Sequence, residues 1–280
     1  MKVISEIKEI NRTLSTLKSS NKTIGLVPTM GALHQGHISL IEKSIAENDI
    51  SIASIFVNPT QFDKQEDLVN YPNTIENDIK LLKNSGCDIV FTPNANEIYN
   101  DNITSQNFMF DGLEHEMEGK QRVGHFDGVG TIVKKLFEII QPHNAYFGEK
   151  DFQQLQIIKK LVELENLNIN IIGCPIYREK DGLAMSSRNI RLSESQRSEA
   201  PFIYKTLKKA QDKSTNISFE EIYTWVNNEF KNHPSLKLEY FEIAEEKTLK
   251  TAKSKFANKK YRAFIAVFAD NIRLIDNISF

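Results

Sequence analysis

Cysteine is scarce: Cys87 and Cys174 are the only two among 280 residues. Neither stands at metal-ligand spacing from another cysteine or a histidine. A zinc ribbon and a disulfide framework are therefore excluded, and two buried free thiols in a reducing compartment are expected. Charge of one sign is also lacking, with 35 Lys and Arg against 37 Asp and Glu and a net charge of −2. No long-range field favours nucleic acid or an anionic membrane. The most basic stretch holds Lys250, Lys253, Lys255, Lys259, Lys260 and Arg262. Only Phe256 and Tyr261 accompany it as aromatics, and it reads as a solvated surface. Long hydrophobic runs are missing too, since no apolar segment approaches the roughly 18 residues of a membrane helix. The opening MKVISEIKEINRTL sets Lys2, Glu6, Lys8 and Glu9 among its apolar positions. That mixture argues against a signal peptide and predicts an amphipathic helix on a cytoplasmic protein.

What is present is a regular alternation of two periods. With 40% hydrophobic residues, the chain can bury a large core in one domain or two. Short apolar runs occur at Ile24–Val27, Ile50–Val57, Asp88–Phe91, Ala145–Phe147 and Ile169–Ile172. Helical spacing separates most of them: Ile75, Ile79 and Leu82, then Val129, Ile132, Val133, Leu136, Phe137 and Ile140, then Leu155, Ile158, Leu161 and Val162. Strands alternating with helices predict right-handed crossovers and a mainly parallel sheet covered on both faces. We read residues 1–175 as such an α/β domain, Rossmann-like in type. Ligands bind such sheets beyond the carboxyl ends of the strands, so the loops after Val27, Val57 and Phe147 should hold the chemistry. Beyond Pro175 the pattern changes. Tyr177–Leu192 is polar and aperiodic. Ser193 with Gln196, and Ser218 with Glu221, have the spacing of capping boxes. Tyr240–Ala244, Ala263–Ala269 and Ile272–Ile275 read as strands, with Asp270-Asn271 as a hairpin turn. Residues 176–280 are read as a smaller α+β C-terminal domain.

Four stretches can carry chemistry. In TMGALHQGH, Thr29–His37, two histidines and two glycines sit between a strand and a helix. Gly31 and Gly36 permit positive φ or close backbone approach, and a helix N-terminus there presents unpaired N–H groups to an anion. His34 and His37 can donate to phosphate oxygens; simple packing is the competing reading. Zinc is disfavoured, because the spacing is not i, i+4 and no third ligand is near. FVNPTQF, Phe56–Phe62, brings Asn58 and Gln61 to the end of a strand, as hydrogen-bonders for a hydroxyl or carboxylate or as parts of a plain Asn-Pro turn. YFGEKDFQQL places Gly148, Glu149, Lys150 and Asp151 at another strand end. There Lys150 can neutralise phosphate and Asp151 can hold Mg²⁺ or a ribose hydroxyl, unless the cluster is merely solvated. GLAMSSRNIRL offers Ser186, Ser187 and Arg188, either on a lid that orders over triphosphate or on an interdomain linker. Arg122, His125 and Asp127 precede a helix and form a weaker anion candidate.

Taken together these motifs resemble the pantoate–β-alanine ligase (pantothenate synthetase) family, over nearly the whole chain. The family pattern P-T-M-G-x-L-H-x-G-H is matched at Pro28–His37, F-V-N-P-x-Q-F at Phe56–Phe62, G-E-K-D-x-Q-Q at Gly148–Gln154 and S-S-R at Ser186–Arg188; the closing RLIDN is similar as well. The resemblance implies a nucleotidyltransferase-type enzyme that joins pantoate to β-alanine through a pantoyl adenylate, consuming ATP and releasing AMP and diphosphate. It places ATP along Met30, Gly31, Ala32, Leu33, His34, Gln35, Gly36 and His37, along Gly148, Glu149, Lys150 and Asp151, and at Tyr177, Met185, Ser186, Ser187 and Arg188. His37, His34, Lys150 and Arg188 are then catalytic. Gln61 and Gln154 bind pantoate, with Gln61 also reaching β-alanine, and the backbone of Tyr177 reads adenine. Asn58 and Arg122 are secondary candidates. Mg²⁺ is expected on the triphosphate and not in a protein cage. A homodimer is implied, with no nucleic-acid or membrane partner. Two positions depart from the family pattern, Val123 in place of a proline and Asp127 in place of a basic residue. A nucleotidylyltransferase that keeps the nucleotide on its product, and a non-catalytic nucleotide sensor, remain the alternatives.

Overall fold

The opening residues are not helical from the start. In the computed structural model, which describes residues 1–62, 68–69, 71–100 and 102–280, Lys2–Ile4 forms a strand, β1. The helix that follows, α1, runs from Ile7 to Ser19 and buries Ile10 and Leu14. The expectation of one helix through this segment fails at its first turn. Val3 and Ile4 are β-branched, and β1 pairs with Val90 and Phe91 far along the chain. No local periodicity reports such a partner.

The first unit comprises Met1–Glu114, Glu118–Glu149 and Gln153–Pro175. Its sheet contains β1, β2 (Ile24–Thr29), β3 (Ile50–Ile55), β4 (Ile89–Phe91), β5 (Asn144–Gly148) and β6 (Asn170–Cys174). The strands are parallel throughout, in the order β1-β4-β3-β2-β5-β6. Burial on both faces explains their composition: Ile24, Leu26, Val27, Ile52, Ala53, Val90 and Phe91 are each fully enclosed. The chain lays β2, β3 and β4 outward in one direction and returns past β2 to add β5 and β6. Strand order therefore reverses between β2 and β5, the switch point at which such sheets bind ligands. Pairing there is brief. The β2–β3 ladder runs from Ile24 and Ile50 to Thr29 and Ile55, whereas β2 and β5 pair only at Gly25–Asn144 and Leu26–Ala145. Beyond those pairs the two carboxyl ends part.

The second unit comprises His115–Met117, Lys150–Phe152 and Ile176–Phe280. It thus includes Lys150–Phe152, which the sequence pattern places in 1–175. Three antiparallel strands form it, β7 (Leu236–Glu245), β8 (Tyr261–Ala269) and β9 (Ile272–Ser279), with β8 central. Asp270-Asn271 is the two-residue turn between Ala269 and Ile272, with Asp270 at φ 50°. Helices Phe202–Lys213 and Phe219–Lys231 set Ile203, Leu207, Ile222, Val226 and Phe230 in one core with Ala263, Ile265, Val267, Ile272 and Leu274. Both expected capping boxes form, Ser193 with Gln196 and Ser218 with Glu221. The segment 177–192 differs from expectation. Its polar pattern predicts a loop that nothing apolar holds, yet Leu183 and Ala184 are 3% and 4% exposed.

Candidate active site

Everything at the end of β2 depends on a backbone reversal of three residues. Thr29 Oγ1 donates to the Ser54 carbonyl and accepts from the Gly31 amide. Gly31 at φ 84° and Ala32 at φ 50° then turn the chain through left-handed conformations, strained for an alanine. Asp78, 1% exposed on helix Ile75–Asn84, holds that turn. Its carboxylate accepts from the Ala32 amide at 2.9 Å and the Leu33 amide at 2.8 Å, and Thr74 Oγ1 donates to both oxygens.

The turn delivers His34 to the N-cap of α2, Gln35–Glu47. His34 Nδ1 accepts from the Gly36 amide at 3.1 Å, and His37 Nδ1 accepts from the His34 amide at 3.3 Å. The two imidazoles lie side by side, centroids 4.0 Å apart and planes 30° apart. Since each Nδ1 accepts, a neutral ring carries its proton on Nε2. Two Nε2–H donors thus sit beside a helix N-terminus, whose own amides and dipole favour an anion. The pair both caps the helix and presents donors, so packing and ligand binding are not exclusive readings here.

At the end of β3, Gln61 is buried at 8% exposure among bonded neighbours. Asn58 is 1% exposed, and its Nδ2 donates to Gln61 Oε1 and to the Gly128 carbonyl. Asn58 Oδ1 accepts from the Tyr99 hydroxyl at 2.6 Å. Burial raises the Tyr99 pKa, which keeps that hydroxyl a donor. Gln61 Nε2 lies 2.7 Å from Met30 Sδ, so the β2 and β3 loops meet. The Gln61 backbone carbonyl accepts from Arg122 Nη2 at 3.2 Å and from His125 Nδ1 at 2.9 Å, while Arg122 Nη1 faces His125 Nε2. Asn58 and Arg122 therefore support Gln61 from behind. Gly128 allows helix His125–Ile140 to come this close: a Cβ there would lie 2.3 Å from the Thr60 carbonyl oxygen. The two departures from the family pattern also find places, with Val123 90% exposed and Asp127 Oδ1 accepting from the Phe108 amide.

Other expected residues stand as follows. Gly148 closes β5 beside β2, and Glu149 follows within the first unit. In the second unit Lys150 Nζ is 3.6 Å from Asp151 Oδ1, with side chains 17% and 50% exposed. Gln154 is half-buried on helix Phe152–Leu164. The Tyr177 carbonyl accepts from the Met185 amide, and Ser186 Oγ accepts from the Arg188 amide. Asn189 fastens this run by donating to Glu179 and to the Ala184 carbonyl. Arg188 is exposed. Both cysteines are buried, their thiols raised to about 11 by desolvation. Among the described residues no group of three or more His, Cys, Asp or Glu could hold a metal ion, and no helix is long and apolar enough to cross a membrane.

Sequence reasoning missed Asp78, though a signal existed. Asp78 falls at i+3 from Ile75, inside the apolar face formed by Ile75, Ile79 and Leu82, where a carboxylate must be paired. An Asp78→Asn variant offers one acceptor and turns a donor toward the second amide. We expect it to lose about 1–3 kcal/mol of stability, the cost of one unmet buried bond. The measurement is the urea midpoint at constant slope; an unchanged midpoint would mean the turn does not need the charge.

The family model described as Pantoate-beta-alanine ligase matches residues 2–279. A protein of Christiangramia forsetii named pantothenate synthetase is 56% identical over 280 residues, covering 100% of this chain and 99% of the relative. One of the same name from Flavobacterium psychrophilum is 52% identical with the same coverage. The crystal structure of pantothenate synthetase from Thermus thermophilus superposes with a TM-score of 0.92 at 36% identity, covering 99% of each chain. That of pantoate–β-alanine ligase from Francisella tularensis, complexed with beta-gamma ATP and β-alanine, gives 0.82 at 39% identity, covering 100% of this chain and 97% of that one.

Proposed function

The chain belongs to the pantoate–β-alanine ligase family, and from that membership we propose that it makes pantothenate in two steps at the expense of ATP. In the first, a carboxylate oxygen of pantoate attacks the α-phosphorus, the bond to the β-phosphate bridge breaks, and pyrophosphate leaves. In the second, the β-alanine amine attacks the acyl carbon, a C–N bond forms, the C–O bond to AMP breaks, and the amine loses a proton. Adenylation is needed because a free carboxylate has no good leaving group.

The observation that carries this reading is the imidazole pair whose Nδ1 atoms both accept backbone amides, set at a helix N-terminus on the switch point. We assign His34 and His37 to the triphosphate, where donors fixed in advance stabilise charge as it develops. Lys150, Ser186, Ser187 and Arg188 take the charge of the departing pyrophosphate. Asp151 is assigned to the ribose and the Tyr177 backbone to the base. Met30, Gly31, Ala32, Leu33, Gln35, Gly36, Gly148, Glu149 and Met185 form the remaining surround of the nucleotide. Gln61 and Gln154 hold pantoate, and Gln61 also meets β-alanine. Asn58 holds its side-chain amide and Arg122 and His125 hold its backbone carbonyl, support that suits a residue which must stay in place. Mg²⁺ enters as part of MgATP, held by triphosphate oxygens. A cytoplasmic homodimer completes the proposal.

The test is product balance. ATP, pantoate and β-alanine should give AMP and pyrophosphate in equal amounts, dependent on both acids. Pantoate alone should support exchange of labelled pyrophosphate into ATP. A product that retains the nucleotide after β-alanine is added points to a nucleotidylyltransferase, and ATP binding without turnover points to a sensor.

A further inference from the structure

The closing residues RLIDN have no role in the reaction as assigned above. Asp276 and Asn277 lie next to each other on β9, at 4% and 1% exposure, where strand alternation would leave one of a neighbouring pair outside. Both are buried because both faces of the sheet are covered at that point. Asp276 stands opposite Ile265, on the face that carries Ala263, Val267, Ile272 and Leu274 in the core. Asn277 stands opposite Phe264, on the other face.

Each side chain is spent on a different segment. Asp276 accepts two parallel bonds from Arg178, at 2.7 and 2.9 Å. Arg178 also donates to the Asn277 and Gly182 carbonyls, and its guanidinium stacks 3.7 Å from the Tyr204 ring centroid. That fork closes the 178–184 turn, from which Met185–Arg188 continues. On the opposite face Asn277 Nδ2 donates to the Lys150 carbonyl at 2.9 Å. Arg262 Nη1 donates to Asn277 Oδ1 at 2.7 Å, which fixes the amide's orientation, and the same guanidinium covers the Phe152 ring at 4.0 Å. Phe152 packs on Phe264 with centroids 5.9 Å apart. Asp276 Oδ1 also accepts from the Asn277 amide, joining the two arms.

We propose that Asp276 and Asn277 form one clamp, through β9, on the Lys150 turn and on the loop leading to Ser186–Arg188. They are positioning residues: each acts through a segment it holds, and neither is assigned to a substrate. Lysine and arginine are long, flexible side chains, so where their charge falls depends on how firmly their backbone is held. The clamp ties the two backbones to adjacent residues of one strand, so their separation cannot drift without breaking a hydrogen bond made by a buried side chain of β9. The functional meaning of this geometry rests on the adenylation reading above.

Two measurements on the full-length chain test it, with Asn277→Ala and the isosteric Asp276→Asn as variants. The first is hydrogen exchange by mass spectrometry without substrate. Asn277→Ala should speed exchange at residues 148–152 and, through the joined arms, at 178–188; Asp276→Asn should do the same from the other side. Faster exchange confined to β9 and its hairpin overturns the clamp. The second is pantoate-dependent pyrophosphate exchange in a double-mutant cycle with Lys150→Ala. Asn277→Ala alone should slow it by about 10- to 100-fold, the range seen when a reacting group is misplaced by about 1 Å. In the Lys150→Ala background the further loss should be under about 3-fold, because residues that act through one another are not additive. Losses that multiply in full would mean that Asn277 serves the fold alone, and would overturn the proposal. A wild-type chain with no such exchange would sink the adenylation reading, and the hydrogen-exchange result would still decide the clamp.

Discussion

Replacing Lys150 with alanine should slow adenylate formation at least about 100-fold, a loss of about 2.7 kcal/mol in transition-state stabilisation. The size follows from where the charge appears. Pyrophosphate gains negative charge as it departs, and a lysine fixed beside it is worth more in the transition state than in the ground state. Unfolding would not account for such a loss. Lys150 approaches a half-exposed Asp151 at 3.6 Å, and ion pairs of that kind contribute between nothing and about 1 kcal/mol. The Lys150 backbone, including the carbonyl that Asn277 holds, remains in the variant. Single-turnover formation of pantoyl adenylate is the measurement. A wild-type rate would show that Lys150 does not meet the phosphates, whereas a raised KM with unchanged kcat would assign it to uniform binding.

The second large effect is expected at His37. Glutamine at this N3 position can still accept from the His34 amide, as in a capping box. Its N–H is no longer fixed by a ring at the former Nε2 position, so the cap is kept and the preset donor is lost. Losing an oxyanion-type donor costs about 100- to 1,000-fold in rate, while stability should change little because the N-cap residue, His34, is untouched. The rate loss should fall on the first step, where the charge on phosphate changes. Pantoyl adenylate supplied directly should then be converted to pantothenate at close to the wild-type rate. Equal slowing of both steps would place His37 elsewhere in the reaction. His34→Gln bears on the other half of the pair, and comparing the two variants separates their roles.

Much of this was legible in the sequence, for reasons that differ by element. β2 and β3 declare themselves because a parallel strand buried on both faces needs a mostly apolar run, which Ile24–Val27 has and Ile50–Ile55 has but for the buried Ser51 and Ser54. His34 and His37 are legible because a glycine-bearing corner between strand and helix restricts what two histidines can do. Three features were not legible, and all depend on distant partners. β1 is three residues whose partners in β4 lie 87 positions further along the chain, Lys2 opposite Ile89. The order β1-β4-β3-β2-β5-β6 depends on which edge each crossover chooses, a matter of packing. The segment 177–192 looks unrestrained in sequence because its restraints, Asp276 and the core around Leu183, are not written in its own polar pattern. Asn58 and Arg122 stand out in their motifs, but the structure turns both toward Gln61.

Gly128 changes what intolerance to substitution means in this chain. Its missing Cβ would meet the Thr60 carbonyl oxygen at 2.3 Å, and Thr60 cannot retreat without moving Asn58 and Gln61 on either side of it. No rotamer relieves a backbone clash. The position therefore admits glycine alone, as strictly as the proposed reaction would admit histidine at 37, although Gly128 is assigned to no substrate. In a survey of tolerated residues the two would look alike. Only the distance from Thr60 tells that Gly128 is kept for the room it leaves and not for any chemistry of its own.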